Sequence, residues 1–272
     1  MLPRLSNVPQ SDSTVQHYLN ELKKQHFEGD IATSYADRLS LATDNSVYQQ
    51  LPQAILFPKN VADVVRLSKL ANRPEFQSLT FTPRGGGTGT NGQSINNNII
   101  VDLSRHMTTI LELNKEERWV RVQAGVVKDQ LNQFLKPHGL FFAPELSTSN
   151  RATLGGMINT DASGQGSLQY GKTSNHVLGL RSVLMNGDIL DTRALDSADV
   201  LENIDALDLN QSSKKLHQEI AQRCQKKRAA IINDLPQLNR FLTGYDLKNV
   251  FNEDESEFNL TRILTGSEGS LA

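Results

Sequence analysis

The chain has 272 residues, 38% of them hydrophobic, enough for one large domain or two small lobes with a sizeable core. Its 28 basic and 30 acidic side chains leave a formal charge of -2, so no electrostatic excess draws it to nucleic acid. The single cysteine, Cys224, excludes an internal disulfide and any iron-sulfur cluster built from several cysteines of this chain; with no apolar run near the roughly 20 residues of a membrane span, a cytoplasmic protein is expected, peripheral membrane association being left open.

Near the N-terminus, Val15, Tyr18, Leu19 and Leu22 fall on one helical face with Ser13 as the expected cap, so residues 1–43 read as a helical extension. Residues 53–57 read as a strand, and Asn60 then caps a helix whose Val61, Val64, Val65 and residues 67–71 form an apolar stripe. A short strand at 79–82 delivers the chain into Arg84-Gly85-Gly86-Gly87-Thr88-Gly89-Thr90-Asn91-Gly92-Gln93. Strands at 99–103, 109–113 and 119–123 suggest an antiparallel ribbon, with a turn at 114–117. Helical spacing returns at Val127, Leu131, Phe134 and Leu135 and stops at Pro137 and Gly139.

From Pro144 to Gly171 the pattern vanishes into a long loop of Ser, Thr, Asn and Gly, a length that in a compact domain is functional or disordered. Strands at 178–185 and 188–191 flank the hairpin signal Asn186-Gly187. Residues 212–232 are basic and helix-permissive, with Leu216, Ile220, Ala221 and Cys224 on one stripe. They are expected to form a helical surface insertion near 203–240, and the charges at Lys226, Lys227 and Arg228 a solvated face.

The segment 87–92 matches G-x-G-x-x-G literally, but three asparagines and a strand follow where a dinucleotide-binding Rossmann unit opens a helix. No Walker lysine follows either, which disfavours a nucleoside triphosphatase. Dense glycines are costly in backbone entropy, and close approach of backbone to a ligand is the expected compensation. Successive N-H groups there would form an anion nest, to which Thr88 and Thr90 add hydroxyls, suited to a pyrophosphate. A second wall is expected from Pro144, Glu145, Ser147 and Thr148, then Thr153, Gly155 and Gly156, continuing through Asp161, Ala162, Ser163, Gly164 and Gly166 to Tyr170-Gly171. Its small residues would let a flat ring lie over them.

Arg-Gly-Gly-Gly-Thr-Gly at 84–89, Pro-Glu-x-Ser-Thr at 144–148, Thr-Leu-Gly-Gly at 153–156, Tyr-Gly-Lys-Thr at 170–173 and Gly266-Ser267-Glu268-Gly269 occur in that order. The series resembles the FAD-binding domain of the vanillyl-alcohol-oxidase (PCMH) type, and within it the FAD-linked D-lactate, glycolate and D-2-hydroxyglutarate dehydrogenases. The likeness runs from about Asp44 to Ala272. It implies an α+β fold of two lobes with FAD between them, the first over residues 44–104 and the second over 105–272. It also implies that Arg84 through Gln93 cradle the pyrophosphate, while Pro144 to Thr148, Thr153 to Gly156, Ala162 to Gly166 and Val177 line the path from adenine to isoalloxazine.

Relatives that attach FAD covalently through this loop have a histidine where Thr88 stands, so a dissociable FAD is implied. Many relatives have Asn after Gly-Gly and an Asn-Ala-Gly-Gly, whereas this chain has Met157 and Asp161-Ala162-Ser163-Gly164. Gly-Gly-Met, Ser-Gly-Gln and Tyr-Gly-Lys-Thr resemble a large bacterial subgroup with a C-terminal iron-sulfur half, similar to D-2-hydroxyglutarate dehydrogenases. The resemblance thus implies oxidation of a small D-2-hydroxyacid and delivery of electrons to an acceptor.

In relatives a substrate domain follows the Gly-Ser-Glu-Gly motif. This chain is therefore expected to lack substrate-holding and iron-sulfur parts, to bind FAD weakly by itself and to be inactive alone. None of the six histidines lies in an acid-base or metal motif, so no catalytic residue is assigned; a substrate role for Arg240 or Tyr245 rests on the resemblance alone. The alternatives are a noncatalytic flavin- or nucleotide-binding module sharing the fold, and an NAD-dependent enzyme if a helix opens at Gly92.

Overall fold

The computed structural model describes residues 12–236, 238 and 244–272. The chain divides into two compact units: one runs to Leu131 and takes in Asn150–Gly156 and Met185–Gly187, and the other is Asn132–Ser149, Met157–Leu184 and Asp188–Ala272.

The first unit begins with α1 (Ser13–Lys24), whose Val15, Tyr18, Leu19 and Leu22 are buried as their spacing predicts. Its cap is Asp12 rather than Ser13: the carboxylate accepts the N-H of Thr14 at 2.7 Å from the residue ahead of the first turn. β1 (Asp30–Ala32), α2 (Tyr35–Ser40), β2 (Ala54–Phe57), α3 (Val61–Ala71), β3 (Phe81–Arg84) and β4 (Ile99–Asp102) follow. The strands form one sheet in the order β1-β2-β4-β3, with β2 and β3 both parallel to β4.

β4 therefore belongs to the middle of a parallel sheet and not to the expected antiparallel ribbon. All four of its residues are buried, and a strand covered on both faces shows no polar alternation to reveal its pairing. The ribbon consists of β5 (Ile110–Asn114) and β6 (Trp119–Val122) alone. Asn60 caps α3 through the N-H of Asp63 at 2.9 Å. Asp63 itself is buried on the helix's inner face, where its carboxylate accepts the N-H groups of Glu28 and Lys59, each at 3.0 Å, and pairs with Arg66. The apolar stripe read from the sequence thus contains a tightly satisfied carboxylate.

α4 (Lys128–Leu135) ends in a 3-10 turn closed by Gly139 at φ 68°, as Pro137 and Gly139 predict. The segment 144–171 is not structureless. It holds α5 (Leu154–Asn159) and α6 (Ser167–Tyr170), and a 3-10 turn at Thr173–His176 follows. These helices are too short for a periodic apolar face to announce them.

In the second unit β7 (Gly179–Val183) and β8 (Ile189–Asp196) form the hairpin expected at Asn186-Gly187. After α7 (Ser197–Glu202), α8 (Gln211–Lys226) and α9 (Arg228–Asp234), β9 (Glu257–Asn259) adds to β8, and α10 (Thr261–Leu264) follows. α8 packs one face inward and exposes the other. Ala221 and Cys224 join Val200, Phe251 and Phe258 in the unit's main core. Ser213, His217, Ala221 and Cys224 form the buried stripe, while most of the helix's polar groups face outward. Among the described residues no helix is long and apolar enough to cross a membrane.

Candidate functional site

In the first unit, β3 ends at Arg84 and the glycine loop returns the chain to the neighbouring parallel β4 with no helix between. A Rossmann phosphate turn is thereby absent. The glycines have several causes. A Cβ on Gly85 would coincide with the Thr153 side chain, and one on Gly86 with the Arg151 carbonyl oxygen. Close approach by the protein itself therefore explains these two, where approach by a ligand was expected. Gly87, at φ 61°, passes over the Arg84 guanidinium, and Gly92, at φ 77°, lies against the Tyr48 ring.

The loop brings several expected residues together. Thr153 accepts the Gly156 N-H on its hydroxyl at 3.3 Å, and Gly155, crowded by Ala124, donates to the Ala124 carbonyl at 2.8 Å. Gln93 turns back under Gly89, and its side-chain Oε1 accepts the N-H of Asn91 at 3.0 Å. The N-H groups from Gly85 to Thr90 and the hydroxyls of Thr88 and Thr90 donate to no acceptor among the described residues. Gly85 to Gly89 are half-buried and Thr90 is exposed, so these main-chain donors stand open to solvent or to a ligand.

In the second unit Gly164 lies so close to the Glu145 carbonyl that a Cβ would overlap it, which brings Pro144, Glu145, Ser147 and Thr148 beside Ala162 and Ser163. The Ala162 carbonyl accepts both the N-H and the hydroxyl of Thr173, at 3.1 and 2.7 Å. Gly166, at φ 88°, opens α6, and Val177 follows the 3-10 turn in extended conformation. The hydroxyls and N-H groups of Ser147, Thr148 and Ser163 have no partner among the described residues.

Behind this wall Asp161, at φ 44°, accepts the N-H and hydroxyl of Ser174 at 2.8 and 3.1 Å and meets the Lys172 ammonium at 2.5 Å. The N-H groups of the Gly-Ser-Glu-Gly turn are already used. Gly266 donates to the Ile158 carbonyl, Glu268 to that of Asn159, and Gly269 to the Asn159 side chain. This motif fastens the end of α5.

His176 Nε2 lies 2.7 Å from the Tyr170 carbonyl, and its ring contacts Phe142 edge-on, a structural placement. Tyr245 is hydrogen-bonded to Ser270 at 3.0 Å and borders an open cavity of about 280 Å³ with Thr160 and the turn at 266–268. Arg240 lies outside the described residues. Two features were missed in the sequence: the Asp44–Tyr48 turn beside the glycine loop, and the Asp161–Lys172 pair. Only the Asp44-x-Ser46 spacing, a side-chain turn pattern, signalled the first.

Residues 52–193 match a family described as FAD binding domain. The chain belongs to this FAD-binding family. It is similar to D-2-hydroxyglutarate dehydrogenase of Haemophilus influenzae, with 85% identity over all 272 residues of this chain and 26% of that protein. D-2-hydroxyglutarate dehydrogenase of Escherichia coli K12 is 61% identical over the same shares. The chain spans about a quarter of the length of these curated relatives.

Among solved structures, an alkyldihydroxyacetonephosphate synthase shares the fold with a TM-score of 0.60 at 21% identity, over 70% of this chain and 36% of that one. Physcomitrella patens BBE-like 1 does so with a TM-score of 0.57 at 18% identity, over 66% and 38%. The α+β FAD-binding fold of the vanillyl-alcohol-oxidase (PCMH) type implied by the motif order is the fold found. The donor run at 85–90 suits the diphosphate of FAD in kind, since it offers neutral main-chain N-H groups to an anion.

Proposed function

We propose that the chain holds FAD for the oxidation of a D-2-hydroxyacid, of the D-2-hydroxyglutarate or D-lactate class, to the 2-oxoacid. The observation that carries the site is the run of uncommitted N-H groups from Gly85 to Thr90. Identity of 85% over all 272 residues of this chain with a relative named for D-2-hydroxyglutarate supports the substrate class. FAD, when bound, supplies a hydride acceptor.

In this reading Gly85, Gly86, Gly87, Gly89, Thr88 and Thr90 hold the diphosphate, with Arg84, Gly92 and Gln93 shaping the loop. Ser147, Thr148 and Ser163 offer hydroxyls to the remainder of the nucleotide, and Pro144, Glu145, Ala162, Gly164, Gly166 and Val177 form the surface around them. Thr153, Gly155 and Gly156 support the loop. Thr88 gives no nitrogen for a covalent link, so FAD is held noncovalently. The lobe boundary near residue 104, an electron acceptor and a cytoplasmic setting belong to the same reading. An iron-sulfur centre, in this reading, draws its ligands from outside this chain.

The full-length protein that carries this sequence, loaded with FAD, is mixed anaerobically with D-2-hydroxyglutarate and with D-lactate while the visible flavin band is followed. Bleaching by one D-enantiomer, with intact FAD released on acid denaturation, is the expected result. A bound flavin that neither acid reduces would leave a flavin-binding module and remove the dehydrogenase reading.

A further inference from the structure

The arginine that opens the glycine motif is buried beneath the loop. Arg84 is 8% exposed. Its Nη2 donates to the Thr43 carbonyl at 2.8 Å, and its Nη1 reaches the carbonyls of Ser94 at 3.2 Å and Leu41 at 3.4 Å. One side chain thus ties the entry of the loop, where Arg84 itself stands, to its exit at Ser94 and to the segment 41–44. Ser94 carries a second tie: its hydroxyl donates to Asp44 Oδ2 at 2.9 Å, while Asp44 Oδ1 accepts the N-H of Ser46 at 2.8 Å. The backbone at Gly87 crosses directly over the guanidinium, so that any Cβ there would strike it.

We propose that Arg84 and Asp44 are positioning residues for the cofactor loop, acting from behind through Ser94 and neighbouring carbonyls and not by touching the nucleotide. The proposal rests on the reading that the N-H groups of 85–90 take the FAD diphosphate. Three carbonyls from two segments suit the rigid, planar fork of an arginine, and a lysine ammonium on a flexible stem cannot hold all three in that arrangement. Burial pulls the Arg84 pKa below its ordinary value, and the carboxylates of Asp102 and Asp44 act against that shift, keeping a cation under the loop. The family motif reads as a charge for phosphate; the geometry assigns that charge to holding the donors in line.

The test compares Arg84→Lys, Arg84→Met and Ser94→Ala in the full chain. FAD affinity is measured across a range of ionic strength, below each variant's unfolding transition. Amide exchange of residues 85–94 is followed in the FAD-free chain. Both Arg84 variants should weaken FAD by about tenfold or more, with the salt dependence of binding unchanged and exchange at 85–94 accelerated before any FAD is added.

Near-normal affinity in Arg84→Lys, or a shallower salt dependence in Arg84→Met, would mean direct phosphate contact and overturn the proposal. If Arg84→Met does not fold, Ser94→Ala decides: loss of affinity together with faster exchange supports the tie, and no change in either sinks it. Failure of the underlying reading looks different, because FAD would then bind the unaltered chain without slowing exchange at 85–90.

Discussion

Asp161 combines burial, a left-handed backbone and an ion pair in one residue, with side-chain exposures of 7% for Asp161 and 14% for Lys172. Removing one partner of a buried pair leaves an uncompensated charge, at a cost of about 3 to 5 kcal/mol. Lys172→Met should therefore destabilise the chain severely in urea melts, and adding Asp161→Asn should recover most of the loss, since Asn can still accept the Ser174 N-H. Additive losses in the double variant would contradict this pairing.

The glycines permit a second separation at the same scale. Gly86→Val forces the Arg151 carbonyl aside and should lower the melting temperature of the FAD-free chain. Thr88→Ala should leave that temperature unchanged and weaken FAD severalfold, by about the 0.5 to 1.5 kcal/mol of a hydrogen bond. Equal thermal effects for the two would remove the distinction between glycines that pack and hydroxyls that bind. The density of glycines was legible in the sequence as a demand for close approach. That the neighbour at Gly85 and Gly86 is residues 151–153 was not, because those residues lie over sixty positions away and carry no pattern that names their partner.

α8 shows how an element can be found while what it packs against stays hidden. Its stripe of Leu216, Ile220, Ala221 and Cys224 was legible, but the basic composition argued for a surface helix. Its inner face also carries His217, which is wholly buried. The Nδ1-H of His217 donates to the Ser213 carbonyl at 2.8 Å, the ring meets Phe258 edge-on, and Nε2 has no partner among the described residues.

Burial holds the His217 pKa below its ordinary value, with the Ser213 bond opposing that shift and the Arg193 charge adding to it. The folded state therefore prefers the neutral ring. The corresponding stability is fully present above the unfolded pKa of about 6.5 and is lost as pH falls through that value toward the depressed folded one. His217→Leu should flatten this acid-side decline in urea melts taken between about pH 7 and pH 5. An unchanged slope would show that other groups cause it. Similar limits hid the pairing of β4, since its apolar run of three residues, Ile99 to Val101, reads alike in parallel and antiparallel sheets.

For the whole molecule, the order of five short motifs specified the fold more fully than periodicity did. Periodicity located α1, α3 and α4, and the Asn186-Gly187 turn the β7-β8 hairpin, but both left 144–171 blank. The motifs crossed that blank because they report local backbone demands, such as the left-handed positions at Gly87, Gly171, Gly266 and Gly269, which remain visible where no apolar face exists. They did not separate residues that hold the loops from residues that meet a ligand. Gly266-Ser267-Glu268-Gly269 proved to fasten α5, and Arg84 lies behind the loop that it opens.

The central claim is that the main-chain donors of 85–90 receive the diphosphate of FAD, and amide hydrogen exchange with and without saturating FAD tests it most directly. Slowed exchange across Gly85 to Thr90, with that of β5 and β6 unaffected, is the predicted result; bound FAD that leaves those six amides exchanging at their free rate would contradict it.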